Sequence, residues 1–241
     1  MARTVGIGHQ NFEQVIQNRY FYIDKTRFIK EWWENGDAVT LLTRPRRFGK
    51  TLNMSMLEHF FSLAYADRGD LFEGLFIWEE KSSAGEHLYR KLQGTYPVIS
   101  LSFAKVKETS FVSTRKRICQ VITDLYNQFD FLQRSNVLNE KEKVYFQTIS
   151  AEMEDYMAAD SLNTLSKYLS RYYGKKVIIL LDEYDTPMQE AYLNGYWKEM
   201  VDFIRNLFNS TFKTNPYLER GMMTGITRVN KESGFSDLNN L

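Results

Sequence analysis

The stretch that decides the fold joins a short apolar run to a basic turn. It reads Ala38-Val39-Thr40-Leu41-Leu42-Thr43-Arg44-Pro45-Arg46-Arg47-Phe48-Gly49-Lys50-Thr51. A β-prone run that passes through a turn into Gly-Lys-Thr predicts a phosphate-binding P-loop between a strand and a helix. The apolar spacing after Thr51 is helical, so Gly49, Lys50 and Thr51 are expected at a helix N-terminus.

Two side chains of this turn match the requirements of nucleotide phosphates. Backbone N–H groups and the positive helix end cradle phosphates in a P-loop, and Lys50 is the lysine expected to reach the outer ones. The hydroxyl of Thr51 is expected to coordinate Mg²⁺, because a hard cation shared with phosphate oxygens prefers an oxygen ligand. The predicted nucleotide-binding residues are Arg44, Pro45, Arg46, Arg47, Phe48, Gly49, Lys50, Thr51 and Leu52.

The turn departs from the usual P-loop pattern at its first position. The pattern G-x-x-x-x-G-K-[ST] places a glycine where this chain has Arg44. An arginine there requires either a compatible φ/ψ or a reshaped loop, to which Pro45 contributes. The arginines Arg44, Arg46 and Arg47 have two interpretations: contacts with phosphates or a neighbouring subunit, or a solvated or carboxylate-paired basic turn.

A second motif is an apolar run that ends in two acids, Val177-Ile178-Ile179-Leu180-Leu181-Asp182-Glu183. It predicts a buried parallel strand whose C-terminal tip presents carboxylates, the Walker B pattern. Asp182 is predicted to hold Mg²⁺ and Glu183 to polarise the attacking water. The alternative is a strand capped by solvated acids, but the two motifs in this order favour a site for Mg²⁺ and ATP.

Composition limits the class of protein. The 241 residues predict one α/β domain over 1–241, with a short helical N-terminal segment at 1–37 and a helical insert at about 108–174. A net charge of +1 gives no bulk attraction to nucleic acid or to an anionic membrane. The single cysteine, Cys119, excludes an internal disulfide and suits a reducing compartment. No run reaches the roughly 20 apolar residues of a membrane span, so a cytoplasmic protein is predicted.

Periodicity and breakers predict the remaining elements. The last strand is expected to end near a residue that senses the γ-phosphate, with Thr224 and Arg228 as candidates and Thr227 as a third. The alternative is a loop threonine and an exposed arginine. Asp24 or Thr26 is a candidate cap of the second helix, beside an exposed Lys25. The less favoured alternative is that Asp24 and Lys25 pack on the base or phosphates of a nucleotide. Helices are predicted at about 11–18, 27–35, 111–130, 140–155, 161–173 and 195–212, and strands at 96–103 and 218–226.

With these residues in view, the chain resembles the prokaryotic AAA-ATPase-like family. The resemblance implies a P-loop NTPase three-layer α/β fold with a mostly parallel central sheet, in the additional-strand, catalytic-glutamate division. It also makes Arg44 a family feature. The stretches that carry it are Tyr22-Ile23-Asp24-Lys25-Thr26, Arg44 to Thr51, Leu181-Asp182-Glu183-Tyr184-Asp185, Thr224-Gly225-Ile226-Thr227-Arg228, Phe235-Ser236 and Leu238-Asn239-Asn240.

Members of that family commonly carry a nuclease-like domain of the PD-(D/E)XK type after the ATPase core. The chain ends at Leu241, about where such a domain would begin, and contains no Asp…Glu-x-Lys site. The resemblance therefore implies either a fragment without the nuclease-like domain or a stand-alone ATPase module.

The residues support three functional hypotheses. The first is an Mg-dependent ATPase that acts as a nucleotide switch for a partner domain or nucleic acid, alone or as a homo-oligomer. The second is a non-hydrolysing nucleotide-binding or interaction module, with Arg44 marking lost catalytic geometry. The third is a nucleic-acid-binding accessory domain of a nuclease, which would use Arg44, Arg46, Arg47 and the run Arg115-Lys116-Arg117.

Overall fold

The computed structural model describes residues 4–6 and 8–227. The chain divides into two compact units, one formed by Met1–Asp37 and Arg46–Val98 and the other by Ala38–Pro45 and Ile99–Leu241. The single domain expected over 1–241 stays a prediction. No helix of the described residues is long and apolar enough to span a bilayer.

A four-stranded, all-parallel sheet organises the second unit, with the strand order β1-β4-β3-β2. Strand β4 pairs in parallel with both β1 and β3, so it lies between the strand that precedes the basic turn and the strand that ends in the two acids. That is the additional strand of the predicted fold class, and the α/β prediction is confirmed. The strands are β1 (Val39–Thr43), β2 (Val98–Ser102), β3 (Val177–Asp182) and β4 (Leu218–Gly225).

All six residues of β3 are buried, as expected of a continuous apolar run in a parallel sheet. The register pairs Thr43 with Gly225 and Leu181 with Met223, so β1, β3 and β4 end at one edge of the sheet. The residues directly after these strands therefore lie at a common edge, as the carboxyl ends of parallel strands do.

The first unit is built from short helices packed through aromatic side chains. Phe12 stacks on Phe72 with ring centroids 5.1 Å apart, and Phe60 meets Phe72 edge-on at the same distance. All three rings are fully buried, so they form the apolar centre of this unit. Its helices are α1 (Phe12–Gln17), α2 (Arg27–Asn35), α3 (Lys50–Phe61) and α4 (Phe76–Glu79), with 3-10 turns at Leu63–Tyr65, Gly69–Phe72 and Arg90–Leu92.

The second unit carries six helices in its described part, and four of them form the insert predicted between the second strand and β3. The second helical stretch of the insert ends at residue 148 rather than 155, and the next helix begins at Asp155 rather than 161. A turn at 150–153 causes the difference, because it buries Ile149 and Met153. The six helices are α5 (Phe111–Gln128), α6 (Phe131–Arg134), α7 (Glu140–Thr148), α8 (Asp155–Tyr173), α9 (Thr186–Asn194) and α10 (Trp197–Phe208).

Helix α9 lies where the sequence predicts none, and the helix expected over 195–212 begins later. Gly195 does not start a helix: it ends α9 with φ 81°. Helix α10 then runs only to Phe208, and a π-helical turn, Asn209–Lys213, comes after it. Cys119 is buried in α5, where desolvation raises the pKa of its thiol to about 11 and keeps it protonated.

Candidate functional site

Arg44 occupies the position of the first P-loop glycine with ordinary backbone geometry. Its N–H donates to the carbonyl of Gly225 at 3.1 Å, which extends the β1–β4 ladder beyond Thr43. Its guanidinium donates to the carbonyl of Thr43 at 3.0 Å. Within the described part of the chain, the positive-φ residues of this turn are Arg47 (φ 70°) and Gly49 (φ 78°), so position 44 does not require glycine.

Helix α3 begins at Lys50, as predicted, and Gly49 is its N-cap. Because glycine has no side chain, the N-cap residue supplies no capping oxygen, and the positive end of the helix is not shielded by one. The side chain of Lys50 is 7% exposed, while Thr51 and Leu52 lie half-buried in the first helical turn. A P-loop requires this arrangement of glycine, lysine and helix N-terminus.

The other side chains of the turn point into solvent. Phe48 is 59% exposed, and Arg46 and Arg47 are exposed as well. Neither arginine forms an ion pair with a carboxylate anywhere in the part of the chain that the structure describes. Both arginines are thus exposed cations within the described ranges, and their contact with phosphates or a neighbouring subunit stays a prediction.

The two acids at the end of β3 have different partners. Asp182, 6% exposed, accepts a hydrogen bond from the hydroxyl of Thr224. Glu183 lies just beyond the strand in a left-handed conformation with φ 50°. Its Oε2 accepts from the hydroxyl of Thr186 at 3.2 Å. The two carboxylates thus have different hydrogen-bond partners, and the separate tasks expected of them stay a prediction.

Thr224 connects these acids. Its hydroxyl, fully buried, donates to Asp182 and accepts from the N–H of Glu183 at 3.4 Å. The hydroxyl hydrogen is thus committed to Asp182, and this bond orients the carboxylate. The γ-phosphate-sensing role stays a prediction for Thr224. Arg228 and the stretches Phe235-Ser236 and Leu238-Asn239-Asn240 lie outside the described residues.

Asp185 is a site residue that sequence reasoning missed. Its side chain is 1% exposed, and Oδ2 accepts from the N–H groups of Ile226 and Thr227 at 2.9 and 2.8 Å. The hydroxyl of Thr227 and the side-chain amide of Gln189 also donate to it, at 2.8 and 2.9 Å. Asp185 is the N-cap of α9, yet its side chain makes no capping bond to that helix. It fixes the two residues after β4 instead.

A close approach at Gly225 makes this contact possible. A Cβ on Gly225 would lie 2.7 Å from Oδ1 of Asp185 and 2.7 Å from the ring of Tyr184. Glycine is therefore required where the end of β4 passes the turn after β3. The signal available in the sequence, Asp185 before Thr186 and Pro187, is typical of a helix start and does not reveal the partner.

The turn in the first unit and the strand ends in the second unit each carry groups of a kind that suits a nucleoside triphosphate or Mg²⁺. Magnesium is held in such sites by one or two protein oxygens together with phosphate oxygens and water. Asp182 offers a buried, oriented carboxylate, and Thr51 offers a hydroxyl at the start of α3. Among the residues that the structure describes, no group of three or more His, Cys, Asp or Glu side chains forms a metal-binding cluster.

The basic run at the start of α5 is largely neutralised by acids. Arg115 forms an ion pair with Asp155 and also donates to the carbonyl of Met153. Lys116 forms an ion pair with Glu152. Two of the three cations of this run thus have acidic partners, which lowers the positive charge that the run offers to a phosphate backbone.

Comparison with known proteins identifies the family of the chain. An uncharacterized protein in the vnfD 5′ region of Azotobacter chroococcum mcd 1 is 26% identical to the chain over 241 residues. The match covers 99% of this chain, which spans about 40% of the length of that relative. No solved structure matches the chain. The family of predicted AAA-ATPases matches residues 6–235, so the chain belongs to the AAA-ATPase-like family.

Proposed function

We propose that the chain is an Mg-dependent ATPase module that acts as a nucleotide switch. The observation that carries the proposal is the order of the strands, together with the residues at their carboxyl ends. Strand β1 leads into Gly49 and Lys50, β3 ends in Asp182 and Glu183, and β4 lies between the two strands. This is the arrangement that ATP-hydrolysing P-loop proteins of the catalytic-glutamate division require.

Each residue has a role that its surroundings support. Lys50 and the backbone around Gly49 bind phosphate, while Thr51 and Asp182 hold the magnesium ion. Magnesium supplies charge neutralisation at the phosphate oxygens when it is bound. Glu183 orients and polarises water, because its carboxylate lies beyond the strand end and is held through one oxygen by Thr186.

The switch would operate through the hydrogen bonds around the end of β3. Thr224 ties Asp182 to the backbone of Glu183, and Asp185 ties the next turn to Ile226 and Thr227. A shift of Asp182 on metal binding would therefore reach the residues after β4. The partner that reads this change is proposed to be a further protein domain or a nucleic acid, since the related protein is longer than the matched region.

Replacing the phosphate-binding lysine tests the proposal. Lys50→Ala should weaken ATP and ADP binding by at least roughly 100-fold, because a charge-assisted contact with phosphate is lost. Equilibrium binding by titration calorimetry in Mg²⁺ buffer measures the loss, with single-turnover hydrolysis measured in parallel.

Lys91→Ala is the control for this experiment. Lys91 is an exposed lysine of the same unit, and its loss should leave nucleotide affinity unchanged. Thermal unfolding without nucleotide shows whether Lys50→Ala still folds. Unchanged ADP affinity in a folded Lys50→Ala variant would contradict the P-loop assignment. Binding without turnover above background in the parent chain would favour the non-hydrolysing module instead.

A further inference from the structure

The ammonium group of Lys25 lies against the backbone of the phosphate-binding turn. A Cβ on Gly49 would stand 3.3 Å from Nζ of Lys25. Gly49 is the N-cap of α3 and immediately precedes Lys50. Lys25 and Gly49 belong to the same compact unit. A second lysine thus meets the backbone that a P-loop uses to cradle phosphate.

The residues on either side of Lys25 are fixed by hydrogen bonds. Oδ1 of Asp24 accepts from the N–H and the hydroxyl of Thr26 at 2.8 and 2.7 Å, and Oδ2 accepts from the N–H of Phe76 at 2.7 Å. The fully buried hydroxyl of Thr26 also accepts from the N–H of Ile77 at 3.1 Å. The start of α4 therefore holds this segment in place. Thr26, one of the two expected caps, is the N-cap residue of α2, although its side chain makes no capping hydrogen bond.

Local charge does not explain the position of this ammonium group. No carboxylate in the ranges 4–6 and 8–227 forms an ion pair with Lys25. The N-terminus of α3 carries positive partial charge, and the exposed Arg46 and Arg47 belong to the same turn. Positive charges repel one another, so an anion bound at the turn would offset the repulsion between Lys25 and these groups.

We infer that Lys25 is a second phosphate-binding cation of the turn, which contacts the phosphates that ADP and ATP share. The backbone beside Gly49 belongs to the part of a P-loop that cradles the inner phosphates, and lysine binds phosphate as a point charge. The inference rests on the proposed function, since it names a further binding residue of the same site. It assigns a task to the Asp24-Lys25-Thr26 segment, in which Asp24 and Thr26 fix the backbone and Lys25 supplies the charge.

Nucleotide binding by Lys25→Gln tests the inference without measuring turnover. The substitution removes the charge and keeps most of the stem, and Lys25 is exposed, so folding should not change. Calorimetric titration in Mg²⁺ buffer should show ADP and ATP affinity both falling by roughly 10- to 100-fold. Lys25→Arg should lose less, because it retains the charge, and the loss in Lys25→Gln should shrink as salt is raised.

Two controls separate this inference from the proposed function. Lys91→Gln should bind ADP with the affinity of the parent. Without nucleotide, Lys25→Gln should unfold at the same midpoint temperature as the parent. If Lys25→Gln binds ADP like the parent while Lys50→Ala does not, Lys25 is not a phosphate ligand, and the proposed function stands. If the parent chain itself binds neither ADP nor ATP, the proposed function and the role of Lys25 are both overturned.

Discussion

The acid end of β3 and the basic turn after β1 differ in how their charged groups are held. Asp182, Glu183 and Asp185 each accept hydrogen bonds from named side chains or backbone groups. In the turn, by contrast, Arg46 and Arg47 are exposed and lack a carboxylate partner among the described residues. The protein therefore positions its acids before any ligand binds and leaves cations of the turn in solvent.

This difference matches the task proposed for each region. A group that positions water or a metal must be oriented in advance, since misplacement by about 1 Å costs roughly 100-fold in rate. A cation that binds phosphate gains its partner only with the nucleotide and can remain solvated until then. The contrast predicts that substitutions at the acid end affect chemistry and stability, whereas substitutions of exposed cations in the turn affect binding.

The largest expected effect is on hydrolysis in Glu183→Gln. The amide keeps the size of the side chain but lacks the basicity needed to polarise water, so single-turnover hydrolysis should slow by about 10²- to 10⁴-fold. ATP affinity should stay close to that of the parent. The companion variant Asp182→Asn should instead weaken Mg²⁺-dependent ATP binding, because it removes the charge offered to the metal.

Rapid-quench hydrolysis and ATP titration of both variants measure the two effects. If Glu183→Gln hydrolyses ATP like the parent, Glu183 is not the base. If Asp182→Asn and Glu183→Gln show the same defects, the different hydrogen-bond partners of the two acids do not correspond to different tasks.

The sequence predicts the parts of this site that are local. The strands β1 and β3 and the start of α3 can be inferred from apolar runs beside Gly-Lys-Thr and Asp-Glu, in which the element and its functional residue are adjacent. The hydroxyl of Thr224 and the carboxylate of Asp182 are 42 positions apart in the chain, and Lys25 and Gly49 are brought together by packing within one unit. Periodicity carries no information about such pairs.

Misread boundaries have a local cause. Gly195 precedes a helical pattern and is expected to start it, but a glycine is equally compatible with the end of a helix, and its φ of 81° shows that it ends α9. Asp185 comes soon after β3 and resembles a helix cap, so its contact with the loop after β4 has no signal in the sequence. The strands are predicted better than the helices around the site because burial alone fixes an apolar strand.

The second largest expected effect is a loss of stability on substitution of Asp185. Asp185→Ala removes the charged acceptor of the N–H groups of the half-buried Ile226 and the exposed Thr227, and hydrogen bonds to a charged group contribute about 1.5–3 kcal/mol. We expect the free energy of unfolding to fall by about 3 kcal/mol in urea titrations followed by circular dichroism.

Gln189→Ala is the matched control for Asp185→Ala. It removes one of the four donors to Asp185 from a half-buried position in α9 and should cost less than about 1 kcal/mol. Equal stability of Asp185→Ala and the parent would show that the loop after β4 does not depend on this carboxylate.

The smallest expected effect is on the free energy of unfolding, and it comes from the backbone. Each of the two regions contains a non-glycine residue with positive φ. Arg47 has φ 70° and Glu183 has φ 50°. An L-residue pays about 1–2 kcal/mol for this conformation and glycine does not, so glycine should be more stable than alanine by roughly 1 kcal/mol at each position. Arg47→Ala should have the same free energy of unfolding in urea as its parent, since the lost side chain is exposed and has no ion pair with any residue that the structure describes. Glu183→Ala should lose about 1 kcal/mol more of the free energy of unfolding, because the hydrogen bond from Thr186 disappears with the carboxylate.

Equal losses of stability in Arg47→Ala and Glu183→Ala would mean that the hydrogen bond to Glu183 does not stabilise the end of β3. Equal stability of Arg47→Gly and Arg47→Ala would mean that the turn relaxes out of the left-handed conformation.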